Sequence, residues 1–148
     1  LADRALMEDS LAAVADSGAE LRHGLFERFF AAYPDRRKTF LNVEAASIRM
    51  TDETLEMMLG LAGQEQWVWP LVTELVFTHR SYGRLPMEEY DAFIDLSIDE
   101  LARHAADHWN SGIDAAWRRQ AARLKTMIVQ ARAEWEALMP PGYVEEMS

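Results

Sequence analysis

The sequence predicts an all-α protein of about seven helices, and three observations carry that prediction. Apolar residues recur three and four positions apart along almost the whole chain. No apolar–polar alternation of the kind a strand needs runs beyond four residues. Gly18, Pro34, Gly63, Gly83 and Pro86 fall where one periodic stretch gives way to the next.

The first helix is expected over about 3–17, with Leu6, Leu11 and Val14 among its apolar positions and Gly18 as its stop. From Glu20 to Tyr33, the residues Leu21, Leu25, Phe26, Phe29 and Phe30 form a stripe of the spacing that buries one helix face. Pro34 lacks the N–H that would continue this helix, so it breaks the chain and opens a short helical turn ending near Phe40. The next helix has two credible N-caps, Ser47 and the Thr51-Asp52 step, and runs from one of them to about Ala62, where Gly63 ends it. Pro70 favours another start, for a helix carrying Leu71, Val72, Leu75, Val76 and His79. Gly83 and Pro86 mark the corner after it. Two long helices then cover about 86–109 and 113–138, divided by Asn110-Ser111-Gly112, and the tail from Pro140 is expected to be loose. With no internal repeat and no low-complexity stretch, residues 1–148 read as a single domain.

Composition narrows the function classes. A chain of 148 residues buries roughly 70% of the surface its unfolded form exposes, so it needs no staple to fold. At 49% apolar and 27% charged residues it lies far from the profile of a disordered chain. The net charge of -10 argues against nucleic acid or an anionic membrane surface as partner, because phosphate binding needs clustered cations. The basic runs Arg36-Arg37-Lys38 and Arg118-Arg119 are broken by nearby acids and read as solvated faces. Absence of Cys removes disulfides, thiolate catalysis and Cys-based metal sites. The longest apolar stretch, Trp67 to Phe77, contains Pro70, Thr73 and Glu74 and is too short to span a bilayer. No secretory h-region is visible at the start, and the cytoplasm is the expected compartment.

The most informative stretch is His79-Arg80-Ser81-Tyr82-Gly83-Arg84-Leu85-Pro86, set behind Tyr33-Pro34-Asp35-Arg36-Arg37-Lys38-Thr39-Phe40. His79 stands at the end of a helix whose inner face is Val72, Leu75 and Val76. There, one ring nitrogen can donate to the Leu75 carbonyl a turn earlier, which fixes the tautomer and strengthens the other nitrogen as a ligand. A lone histidine at a helix end is more often structural. Three features nevertheless resemble the globin family in order and spacing: Tyr33-Pro34 followed by Phe40; the His79-x-x-Tyr82-Gly83 run with Pro86 and Tyr90 beyond it; and the Asp114-Ala115-Ala116-Trp117 step. The resemblance is to bacterial single-domain globins and the haem domain of flavohaemoglobins, and covers about Ser10 to Ile128.

That resemblance implies a b-type haem (iron protoporphyrin IX) with His79 as proximal iron ligand, a haem face covered by Phe40, and Arg80 and Arg84 reaching the propionates. Phe26, Met50, Thr54, Met58, Leu75, Tyr82 and Tyr90 are the other residues expected at the haem, Phe26 and Met50 on the side of a bound gas. Similar globins carry Tyr and Gln or His where Phe26 and Met50 stand, so an apolar distal corner is expected, with weak stabilisation of bound oxygen. Met50, Met57 and Met58 also read as simple core filling. Were Met50 a sixth iron ligand, electron transfer would replace gas binding, and a redox partner would be required. Tyr90 matches a family tyrosine of the proximal network, but the matching carboxylate falls at Arg132, with Glu134 on another face, and a further family Tyr falls at Ala121. With no reductase module and no Gly-rich dinucleotide fingerprint, nitric oxide dioxygenation is not expected of this chain alone, and it is not read as an enzyme.

Other candidates are weaker. His104 and His108 stand one turn apart with Asp107 between them, a spacing that binds zinc only with a third ligand. Trp67 and Trp69 read as anchors of a helix start; an exposed pair would instead mark a dimer surface. No Ser or Thr sits in a nucleophile elbow. The expected function is reversible binding of a diatomic gas (O2, NO or CO) for oxygen transport, handling or sensing, by a monomer or homodimer. The competing readings are a haem-free regulatory domain and a haem protein of electron transfer or peroxidase-like chemistry.

Overall fold

In the computed structural model, residues 2–18 and 20–143 are described. They form six α-helices, α1 (Ala2–Ser17), α2 (Leu21–Ala32), α3 (Val43–Ala62), α4 (Val68–His79), α5 (Met87–Ala105) and α6 (Ser111–Ala137), with short 3₁₀ turns at Pro34–Thr39, Arg80–Tyr82 and Ala106–His108. Among the described residues there is no strand, so the protein is all-helical. None of these helices is long and apolar enough to cross a membrane.

Most boundaries follow the punctuation of the sequence. Gly18 takes φ +68° after α1, and Gly83 takes φ +88° at the corner before α5, where a side chain would be strained. Two boundaries differ from expectation. α3 begins at Val43, because Asn42 Oδ1 accepts from the Ala45 N–H at 3.0 Å and caps it there. Ser47 and Thr51, the expected caps, lie inside the helix, where Ser47 Oγ donates to the Glu44 carbonyl. α5 stops at Ala105 because Ala106 turns to φ +50°, and the helix does not reach Trp109. The expected loose tail is described only to Tyr143, whose ring lies 6.3 Å from that of Trp135; the remainder lies outside the described residues.

α6 packs against α1, α3, α4 and α5, while α5 also packs on α1 and α2. The main core joins Met7, Met58, Val72, Ile98, Trp117 and Leu124, all of them fully or almost fully buried. Trp117 Nε1 donates to Ser10 Oγ at 2.9 Å, so even the largest core side chain has its polar group satisfied. A second, aromatic cluster joins Leu25, Phe26 and Phe29 of α2 to Phe93 of α5.

Two glycines allow close helix contacts. Gly24 of α2 faces the carboxylate of Glu100, where an added Cβ would lie 2.0 Å from Oε1. Glu100 is 3% exposed, and accepts from Arg28 Nε and Arg103 Nη1, both at 3.0 Å, with His104 Nε2 at 3.1 Å. Gly60 near the end of α3 is covered by Val68 and the Trp67 ring, which brings the start of α4 onto the end of α3. Trp67 thus anchors a helix start, with 44% of its surface exposed.

Candidate functional site

α3 and α4 diverge from their Gly60 contact and enclose a cavity of about 590 Å³. That is within the range of small-molecule and cofactor sites, roughly 300–1,000 Å³. α3 supplies one wall through Ala46, Met50, Thr54 and Met57, positions three or four residues apart. α4 supplies the other through Leu71, Leu75, Thr78 and His79. Phe93 and Ile94 of α5 with Leu124 and Ile128 of α6 close the inner end, and Phe29 and Phe40 lie at the α2 side.

His79 is the one histidine of this cavity. Its Nδ1 lies 2.7 Å from the Leu75 carbonyl. A carbonyl only accepts, so Nδ1 carries the proton and Nε2 is left as the basic nitrogen. Burial holds the His79 pKa below the usual histidine range, and the bond to Leu75 opposes this in part. Arg49 and Glu53 of α3 act on it with opposite sign. The result is a neutral imidazole, the form that binds a metal.

The other polar lining is turned away from the interior. Thr54 Oγ1 donates to the Met50 carbonyl at 2.7 Å, Thr78 Oγ1 to the Leu75 carbonyl at 3.1 Å, and Thr39 Oγ1 to the Arg36 carbonyl. Asn42 is occupied in capping α3. Five charged residues also line the cavity, Arg36, Arg49, Glu53, Glu74 and the buried Glu89. Arg36 forms a two-bond pair with Glu89, its Nη2 at 2.9 Å from Oε2. Arg49, exposed on the rim, makes no ion pair among the described residues. Leu41 and Tyr82 stand largely exposed at the mouth.

Of the residues expected from sequence, Phe40, Met50, Thr54, Leu75, Tyr82 and Tyr90 line this cavity together with His79. Four do not. Phe26 is buried in the aromatic cluster, edge-on to Phe40 at 5.8 Å, and Phe29 one turn later occupies the lining. Met58 is fully buried in the main core, and Met57 takes the lining position. Arg80 lies over the Phe77 ring at 4.2 Å, and Arg84 pairs with Glu136 through contacts of 2.8 and 3.1 Å. Both line a separate cleft, so neither stands at the rim of the main cavity. Arg80 caps the end of α4, and the corner at Gly83 brings Arg84 beside it. Arg49 is the cation that sequence reading missed. Its signal was present, one position before Met50, but placing the start of α3 too late hid it.

His104 and His108 do not share a site. His104 joins Glu100, while His108 Nε2 lies 2.9 Å from Asp9 Oδ2. Among the described residues no three His, Asp or Glu side chains gather to hold an ion.

The fold and site thus define an all-helical protein with a histidine-bearing, mainly apolar cavity between two helices. Compared with known proteins, the chain matches no family model and no curated sequence.

Proposed function

We propose that the protein is a haem-binding globin that takes up a diatomic gas, with His79 as the axial ligand to iron. The observation that carries this reading is the pairing of an oriented, neutral histidine with a mainly apolar cavity of cofactor size. A haem, when bound, would supply an iron able to take up oxygen, carbon monoxide or nitric oxide.

The residues present fit such a group in three respects. Leu75 holds the imidazole in the tautomer whose Nε2 is free to ligate. The apolar walls, with Phe40 and Phe93, accept a flat apolar plate and exclude water from its faces. Arg49 at the rim is the cation available to a carboxylate on the plate's edge. On the α3 side, Thr54 spends its hydroxyl proton on the Met50 carbonyl, so that wall directs no hydroxyl donor at a bound gas. Weak retention of a polar ligand such as oxygen follows.

Met50 supports a second reading, since its thioether lies on the wall opposite the one that carries His79. As a sixth ligand it would raise the reduction potential and favour electron transfer. Absorption spectra of the protein after haem addition test both readings. A stoichiometric Soret band that shifts under CO after dithionite reduction is the expected result. A six-coordinate ferrous spectrum that resists CO would favour Met50 ligation, and no specific uptake would overturn the haem reading.

A further inference from the structure

Next to the main cavity, sharing Leu85 and Tyr90 with it, lies a small cleft that carries an excess of positive charge in a protein of net charge -10. Three guanidiniums line it, those of Arg80, Arg84 and Arg132, against the single carboxylate of Glu136. Arg84 takes both oxygens of Glu136. Arg80 is spread over the Phe77 and Trp135 rings. Arg132, half-buried on α6, donates to the backbone carbonyl of Leu85 and makes no ion pair among the described residues. A carbonyl does not cancel a charge, so Arg132 remains a fixed cation in a poorly solvated place.

Tyr90 is the partition. Its ring lines both the cleft and the main cavity, and lies 5.9 Å from the His79 ring, centroid to centroid. Burial pushes the Tyr90 hydroxyl up to about 12, with Arg132 opposing and Glu89 reinforcing the shift. Tyr90 therefore stays neutral and contributes no screening charge between Arg132 and His79. Glu89 on the same helix is held by Arg36, and Arg49 and Glu53 act on His79 from α3 with opposite signs. Within the cleft burial and Arg84 disfavour and Glu136 favours the charge of Arg132, and three guanidiniums against one carboxylate leave the cleft net positive, while Arg49 is the cation on the α3 side with no ion pair among the described residues.

Resting on the haem reading above, we propose that Arg132, acting across Tyr90, is a positioning residue that sets the reduction potential of the iron and holds it toward the ferrous state. A ferric haem would carry one more positive charge than a ferrous one, so a fixed cation beside Tyr90, whose ring neighbours that of His79, would disfavour it. Ferrous iron is the form that takes up oxygen and CO. The cleft would thus offset the easy oxidation that an apolar gas-side wall permits.

The test is a spectroelectrochemical titration of the haem-loaded protein, comparing wild type with Arg132→Met, Arg132→Lys and Glu136→Gln. Arg132→Met should raise the ferric-to-ferrous ratio at a fixed potential by about tenfold, a fall of about 59 mV for one electron. Arg132→Lys, which keeps the charge, should stay near wild type. Glu136→Gln, which leaves Arg84 uncompensated, should move the potential the other way. If Arg132→Met does not fold, Arg132→Gln, which removes the charge and keeps a donor for the Leu85 carbonyl, carries the same expected fall, and an unchanged potential there would overturn the proposal. An unchanged potential in Arg132→Met, or equal falls in the Met and Lys variants, would overturn the role of the charge while leaving the haem reading intact. Failure of wild type to take up haem would overturn both.

Discussion

The two walls of the cavity are built from helices of similar pattern and do different things. α4 presents a single basic nitrogen, fixed by the Leu75 carbonyl 2.7 Å from its ring partner. α3 presents the thioethers of Met50 and Met57, a threonine whose hydroxyl is turned onto its own helix, and the charged residues Arg49 and Glu53. The difference lies in where each backbone carbonyl finds its donor. On α4 a side-chain nitrogen uses a carbonyl to become a better ligand, whereas on α3 a hydroxyl uses one to disappear from the interior. In the proposed haem reading, α4 is the wall that would hold the cofactor and α3 the one that would shape the space beside it.

The largest expected effect removes the holding group. His79→Ala should weaken haem retention by more than about a hundredfold, beyond the roughly 10–100-fold that loss of an outer-shell partner causes, as measured by haem transfer to an acceptor protein. Wild-type affinity in this variant would show that α4 is no more a ligand wall than α3.

Next is the joint between the walls. A Cβ at Gly60 would lie 2.5 Å from Val68 Cγ2 and 2.7 Å from the Trp67 ring. Gly60→Ala should therefore destabilise the fold by about 1–3 kcal/mol in denaturant unfolding, as overpacking does. Unchanged stability would mean that the two helices part easily at this contact.

A smaller effect should come from giving α3 what it lacks. Met50→Gln places a donor on the gas side, and one hydrogen bond of ~0.5–1.5 kcal/mol should slow oxygen dissociation by about two- to tenfold in flash photolysis. A rate left unchanged would locate the gas away from Met50.

The pH dependence isolates His79 in the protein without cofactor. Its folded pKa lies below the ordinary 6.5 because burial disfavours the charged ring. The unfolded chain therefore binds the proton first as pH falls. Stability from this group is complete above about 6.5 and is lost as pH drops through 6.5 toward the lower folded value. Thermal melts of wild type and His79→Gln should diverge in that window, the wild type alone losing this increment. Parallel curves would show that the ring is not buried as described.

Much of this was legible in the sequence because it depends on neighbours three or four residues away. The tautomer-fixing bond from His79 to Leu75 follows from helical spacing, as do the stripes that face the cavity. Gly83 and Pro86 mark helix ends through their own backbone preferences, whereas Gly63 follows α3 at an ordinary φ of -88° and Gln64 takes the left-handed turn at φ +57°. Register across helices was less accessible. A shift of one residue or one turn separates Met58 from Met57 and Phe26 from Phe29, and both members of each pair are apolar, so either satisfies the periodic pattern. The start of α3 was missed because Asn42, Ser47 and Thr51 are all competent caps, and selection among them rests on how α3 meets α2. Arg22 illustrates this, binding Glu44 Oε1 at 2.7 Å and Ser47 Oγ at 3.1 Å across that contact.

By itself, the sequence determined the helical class, the order and approximate ends of the helices, and the placement of one histidine at the end of an apolar helix. These are consequences of local spacing, capping and turn chemistry, and need no knowledge of distant residues. Only the tertiary structure decided where the arginines act. Arg80, Arg84 and Arg49 carry the same charge and comparable reach. The end of α4 sets Arg80 over Phe77 and Trp135, the corner at Gly83 turns Arg84 toward Glu136, and α3 brings Arg49 to the cavity rim. A long charged side chain is directed by the partners that packing brings within its reach, and those partners here lie from 3 to more than 50 residues away along the chain.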